Sequence, residues 1–200
     1  MVTEQIARRG IHDPRLISAL ESIPRHHFVL HEHEHLAYAD CALPIGEGQT
    51  ISQPYIVALM TNLLGLGGNE TVLEVGTGSG YQAAILSQMA GEVHTVELIE
   101  KLAARARSLL LPYQNVHCHE GDGSLGWSQA APYDAIIVTA AAPSVPEVLL
   151  DQLKDHGRLI LPVGGAGLQT LELWTRRGEK FMRSPEIGVA FVPLRGKHGW

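Results

Sequence analysis

Apolar residues recur along this chain with two periods, and the alternation between them lays out its elements. Leu16, Ile17, Leu20 and Ile23 share one helical face, and Asp13-Pro14 supplies a start, with Asp as N-cap and Pro in the first turn. Residues 1 to about 22 are therefore predicted helical, and Pro24 ends the run. A second helix opens at Pro54, runs through Leu63 and is closed by the glycines at 65, 67 and 68. From residue 71 short apolar runs alternate with helical periods. Strands are predicted at 72–75, 93–97, 116–120, 133–138 and 158–163, and helices at 81–89, 99–110 and 146–153. Two further strands, 171–175 and 189–194, have only a turn at Gly178 between them. Repeated strand–helix units predict an α/β fold with a mostly parallel central sheet and helices on both faces. The last two strands predict an antiparallel edge.

Two stretches fit neither period. In residues 25–35 the histidines at 31, 33 and 35 would share one face of a strand, an arrangement open to a metal ion. A solvated, pH-responsive segment is the preferred reading, because metal ligands usually come from separate elements with outer support. Residues 36–55 are rich in glycine, proline and small polar residues and read as a loop too long to be a plain connector. Loops of that length more often cover a site than merely join elements.

The run Val72-Leu73-Glu74-Val75 leads into Gly76-Thr77-Gly78-Ser79-Gly80 and then into the helical stretch from Tyr81. Strand, glycine turn and helix in that order form a nucleoside-cofactor loop, where backbone can approach a ligand closely and the following helix offers free N–H groups. A plain tight turn would look the same. The dinucleotide pattern G-x-G-x-x-G expects glycine where Tyr81 stands, and Glu74 before the loop suits S-adenosylmethionine enzymes better. Glu97 follows about 20 residues later at the end of the second strand, where an acid accepts from a ribose diol. Asp122 lies between Gly121 and Gly123 after the third strand. It can accept from an adenine amino group, although a turn built on Asp-Gly has the same sequence. The combination is more specific than any member, because ligands bind at successive carboxyl ends of strands in open α/β sheets.

Composition narrows the partners. The chain has 200 residues, 45% hydrophobic and 18% charged, with a formal net charge of -6. That suffices for one domain with a sizeable core, read as N-terminal helices and substrate loop over 1–65 and a cofactor-binding α/β core over 70–200. No basic cluster longer than Arg176-Arg177 exists, which argues against nucleic acid. No apolar run spans a membrane, and the N-terminus lacks a signal-peptide pattern. Cys41 and Cys118 have no metal or redox spacing and read as free thiols in a reducing cytoplasm. No metal is expected, and a monomer is the default.

At this point the sequence resembles the protein-L-isoaspartate(D-aspartate) O-methyltransferase family. The matching segments include Tyr38-Ala39-Asp40, Leu43-Pro44-Ile45-Gly46 and Gly48-Gln49-Thr50-Ile51-Ser52-Gln53-Pro54. Further ones are residues 73–81, Gly121-Asp122-Gly123, Gly126-Trp127, Ala131-Pro132-Tyr133-Asp134, Val138-Thr139-Ala140-Ala141 and Phe191-Val192-Pro193-Leu194. Generic methyltransferases share the glycine loop but not the segment from Thr50 to Pro54.

The resemblance implies a class I methyltransferase fold, rearranged in its last third. It implies methyl transfer from S-adenosyl-L-methionine to the free carboxylate of L-isoaspartyl residues in age-damaged proteins and peptides. The family's active-site serine maps onto Ser52, with Thr50, Ile51 and Val192 around the substrate. Its cofactor positions map onto Gly76, Thr77, Gly78, Ser79, Gly80, Glu97, Leu98, Asp122 and Gly123. Two positions depart from the pattern: Leu98 stands where arginine is expected and Ser124 where an aromatic is common. Neither does chemistry.

A carboxylate is already ionised at neutral pH and needs no general base. Catalysis is therefore expected from positioning and desolvation, with Ser52 orienting the carboxylate. No Gly-x-Ser-x-Gly elbow marks Ser52 as a covalent nucleophile. The loop of residues 36–55 contains no Arg or Lys, so substrate is expected to lie extended across it and the predicted strand of residues 191–194. Competing readings are a class I methyltransferase for a small molecule or RNA, a nicotinamide dehydrogenase, and a non-catalytic binding module. Overall acidity, Tyr81 with Asp122, and the retained loop with Ser52 argue against them in turn.

Overall fold

A computed structural model describes residues 1–165 and 167–200. Residues 2–9 form single turns rather than one continuous helix. Helix α1 (Pro14–Ser22) begins where Asp13 accepts from the backbone N–H groups of Arg15 and Leu16, as its cap position predicts. Leu16 and Leu20 point into the core. His31–Leu36 is a 3-10 helix and not a strand. Three residues per turn place alternate histidines on different faces, which removes the shared face on which a metal reading depended. His31 and Glu34 pair at the surface.

The stretch expected to be a loop holds a hairpin. Strands β1 (Leu43–Gly46) and β2 (Gln49–Ile51) pair antiparallel across Glu47-Gly48. Both turn residues have positive φ, 53° and 71°, as a type I′ hairpin turn requires. Leu43, Ile45 and Ile51 bury their side chains. Helix α2 (Pro54–Leu64) then runs from a proline start to Gly65 in the left-handed conformation.

The chain continues as β3 (Thr71–Val75), α3 (Tyr81–Ser87), β4 (Glu92–Glu97), α4 (Glu100–Leu110), β5 (Val116–Glu120), β6 (Tyr133–Val138), α5 (Glu147–Asp151), β7 (Leu153–Val163), β8 (Gln169–Arg177) and β9 (Lys180–Val189). The strands form one sheet in the order β5-β4-β3-β6-β7-β8-β9. The first five are parallel, and β8 and β9 are antiparallel additions at one edge. Alternate residues serve two cores. Val72, Ala135, Ile137 and Ile160 pack under α1 to α4, while Leu73, Val75, Ile136, Val138 and Leu159 pack with Leu149 and Leu150 of α5. That is the near-continuous apolar pattern of a sheet covered on both faces.

The last strand lies earlier than the apolar pattern predicts. Residues 180–188 of β9 are mostly exposed and include Pro185, which an edge strand tolerates because its outer N–H side needs no partner. The apolar run of residues 190–194 instead leaves the sheet. It crosses to residue 141, where Ala141 N–H donates to Val192 O and Leu194 N–H donates to Ala141 O, both at 2.8 Å. Among the described residues no helix is long and apolar enough to cross a membrane.

Candidate functional site

Strand order reverses at β3, whose neighbours β4 and β6 lead away to opposite sides. A crevice opens there at the carboxyl ends, where open α/β sheets hold ligands. Thr50, Gly76, Gly78, Glu97, Leu98, Gly123 and Val192 all line it. A smaller polar cavity adjoins it, lined by Thr50, Ile51, Ser52, Gly76, Thr77, Gly78 and Ser79 together with Glu74, Tyr81 and Thr139. The hydroxyl-bearing segment at the end of the hairpin and the glycine loop after β3 thus meet in one place, although 24 to 29 residues separate them.

The loop owes its shape to packing against neighbours. Gly76 has φ 94°, and a Cβ there would stand 2.6 Å from Thr139 Oγ1. That hydroxyl donates to Gly76 O at 2.6 Å. Gly123 would drive a Cβ to 2.8 Å from Val75 Cγ1. Glu97 turns one carboxylate oxygen to Gly78 N–H at 2.8 Å and the other to Ile99 N–H at 2.9 Å. Each oxygen keeps a lone pair for a further donor such as a ribose hydroxyl.

The N–H groups of the loop itself are largely engaged within the protein. Gly76 and Thr77 donate to Val96 O, Gly78 to Glu97 and Gly80 to Thr77 O. The loop therefore presents a closely approachable surface more than a set of donors. Gly80 is not part of either lining. It sits behind the loop against Leu110 at φ 88° and caps α3, a structural task.

Asp122 is likewise engaged within the protein. Its Oδ1 accepts from Ser124 N–H and Ser124 Oγ–H, and its Oδ2 accepts from Lys197 N–H at 2.8 Å. The C-terminal residues cover it, and it lies outside the crevice lining, with its neighbour Gly123 facing inward. Burial pushes its pKa up, but the Ser124 hydroxyl and the two backbone donors outweigh that and hold it below the ordinary value.

Three further groups, to which the sequence assigned no role, hold the site together. Thr139 clamps the loop from β6. Thr95 bridges Thr77 and Glu74: the Thr77 and Thr95 hydroxyls lie 2.6 Å apart, and Thr95 donates onward to Glu74 Oε2. Arg25 reaches Ser52, its Nη2 donating to Ser52 O at 2.8 Å. Ser52's own hydroxyl has no partner among the described residues. Glu74 is fully buried, its Oε1 is unpartnered, and burial pushes its pKa up to about 8.

Comparison with known proteins agrees with this architecture. A family model described as Protein-L-isoaspartate(D-aspartate) O-methyltransferase matches residues 1–199. A Dictyoglomus thermophilum protein-L-isoaspartate O-methyltransferase is 52% identical, the match covering all of this chain and 91% of that one. A Shewanella sediminis relative, protein-L-isoaspartate O-methyltransferase 2, is 54% identical over 98% of this chain and 82% of its own. A solved protein-L-isoaspartate O-methyltransferase superposes with a TM-score of 0.88 at 29% identity, over 99% of this chain and 67% of that one. A Plasmodium falciparum structure solved with S-adenosyl-L-homocysteine superposes with a TM-score of 0.81 over 97% of this chain and 96% of its own, and at 24% identity speaks for the fold alone. The family match spans the glycine loop, the segment from Thr50 to Pro54 and the strap of residues 190–194 alike, so the chain belongs to the protein-L-isoaspartate(D-aspartate) O-methyltransferase family.

Proposed function

We propose that the crevice and its adjoining cavity carry out the family's reaction with Ser52 as the orienting residue. As a member of that family the chain is a methyltransferase that uses S-adenosyl-L-methionine to methylate the free carboxylate of L-isoaspartyl residues. The observation that carries the site assignment is the shared cavity of Ser52 and the glycine loop.

The lining fits a nucleoside with a charged tail. Gly76 and Gly78 leave that part of the lining without side chains, Glu97 offers acceptors, and Glu74 leaves a buried oxygen unpartnered. Gly76, Thr77, Gly78, Ser79, Glu97, Leu98 and Gly123 would hold the donor. Gly80 and Asp122 shape the loop and the C-terminal cover instead of touching it. When bound, the donor supplies an electrophilic methyl on a positive sulfonium.

The protein's part is positioning. Thr50, Ile51 and Ser52 supply hydroxyl and backbone groups to a carboxylate stripped of water, so that it is not left unpaired. No base is needed, because the carboxylate is ionised before it binds. Val192, on the strap beside Ala141, faces the same crevice, so extended peptide lies between hairpin and strap. The resulting methyl ester cyclises to a succinimide, and its hydrolysis returns part of the material to normal aspartate. Residues 1–65 then form the substrate side and residues 70–200 the donor side of one domain. We read the protein as a cytoplasmic monomer with damaged proteins as partners, without nucleic acid, membrane or metal.

Calorimetry with S-adenosyl-L-methionine and its demethylated product tests the cofactor side. Both should bind, and Glu97→Ala should weaken both at least about tenfold by removing hydrogen bonds to a charged acceptor. Unchanged affinity in Glu97→Ala would remove Glu97 from the site.

A further inference from the structure

Arg25 is fully buried, with no exposed surface. Buried guanidinium groups ordinarily meet a carboxylate, because an unpaired charge is costly to remove from water. Among the described residues Arg25 has no ion-pair partner. Its Nε donates to Ala37 O and its Nη2 to Ser52 O, each at 2.8 Å. Its Nη1 has no partner at all. The group lies 5.0 Å from the centroid of the Tyr81 ring. Tyr81 in turn lines the polar cavity that holds Ser52 and the glycine loop, and its own hydroxyl is buried and unpartnered.

A positive charge has thus been placed directly behind the backbone of Ser52, with two neutral carbonyls and an aromatic face for company. Simple stapling of two carbonyls needs no net charge; a neutral amide does that at lower desolvation cost. We propose that Arg25 is a positioning residue whose charge balances the isoaspartyl carboxylate held at Ser52, so that the site prefers the anionic substrate over its neutral methyl ester. This rests on the function proposed above. Arg25 does not touch the substrate; it acts through the Ser52 segment and through a field little screened in a buried site.

The chemistry makes the role specific. Methylation removes the substrate's negative charge, so attraction to Arg25 is present before transfer and lost after it. Arg25 therefore contributes to substrate capture and to release of the ester, and little to the transfer step, where the carboxylate is losing charge. The loop of residues 36–55 contains no cation of its own, and Arg25 supplies one from outside it.

The test compares Arg25→Lys with Arg25→Gln on an isoaspartyl peptide. Lys keeps the charge and loses the planar fork; Gln keeps neutral donors and loses the charge. Gln should raise KM roughly tenfold or more with kcat within about threefold of the parent, whereas Lys should hold KM within about threefold. Affinity for S-adenosyl-L-homocysteine should be unchanged in both. Equal rises in KM for Lys and Gln, or none in either, would overturn the proposal and leave Arg25 a staple. A second measurement needs no variant: in competition with substrate, the unmodified protein should bind the carboxylate peptide more tightly than the same peptide as its methyl ester. Equal affinities would also overturn it. Absence of any methyl transfer by the unmodified protein would instead count against the function itself.

Discussion

Replacing Ser52 with alanine should lower kcat about 100-fold while leaving affinity for S-adenosyl-L-homocysteine within experimental error. The size follows from losing orientation of the attacking oxygen, since a displacement of about 1 Å from a reactive geometry costs on that order. Binding of the donor should survive because Ser52 lines the smaller cavity, whereas Glu97 and Leu98 line the adjoining crevice. Its backbone contact with Arg25 uses the carbonyl, which alanine retains. Steady-state kinetics with an isoaspartyl peptide and calorimetry with the demethylated donor check both halves. A variant retaining more than a third of the parent's kcat would remove Ser52 from the role. Trapping a methylated or acylated Ser52 during turnover would contradict it in another way, by making the hydroxyl a nucleophile.

Glu74→Gln should stabilise the unliganded protein at alkaline pH. Glu74 lies on β3 beneath the helices with no exposed surface. Burial is the main cause that lifts its pKa to about 8; the Thr95 hydroxyl opposes the shift and nearby Glu97 adds to it. An unfolded Glu titrates at about 4.3. Between those values the folded state holds a proton that the unfolded state has released, so stability falls as pH rises through the window and levels off above about 8. A neutral amide of the same shape removes this dependence. At pH 8 or above the variant should melt roughly 5–10 °C higher than the parent, and near pH 4.5 the two should converge. Differential scanning calorimetry from pH 4.5 to 9 without ligand measures it. Parallel curves across that range would mean that Glu74 is ionised in the folded protein.

Much of this could be read from residue order, and the failures have identifiable causes. The βα units from residue 71 announced themselves because a sheet covered on both faces needs apolar runs of strand length, and Val72–Val75 and Tyr133–Val138 supply them. The hairpin at 43–51 was missed because its strands are four and three residues long and its turn is Glu-Gly rather than Asn-Gly. The final strand was misplaced because β9 is an exposed edge with a proline in it, whereas the apolar residues after it form a strap that pairs with residue 141 outside the sheet.

In the site, the glycine loop and Glu97 stood out because strand, glycine turn and helix follow in that order, and the segment of residues 50–52 stood out only through the family resemblance; all of them line the crevice or the cavity beside it. For Asp122 the sequence leaves two uses open, since the same Asp-Gly turn serves a nucleobase or a chain terminus, and here its Oδ2 accepts from Lys197 N–H. Arg25 and Thr95 were invisible, since each reaches its partner from 18 to 27 residues away and neither stands in a recurring pattern, while Thr139 lies in a family segment that does not reveal its clamp on Gly76.

The most direct measurement offers the protein labelled S-adenosyl-L-methionine with an isoaspartyl peptide and its aspartyl twin of identical sequence. The two carboxylates differ only in how the backbone leads away from them, so a site that positions an extended chain between hairpin and strap should label the isoaspartyl peptide and leave the aspartyl one at background. Equal labelling of both, or of neither while the donor still binds, would contradict the account.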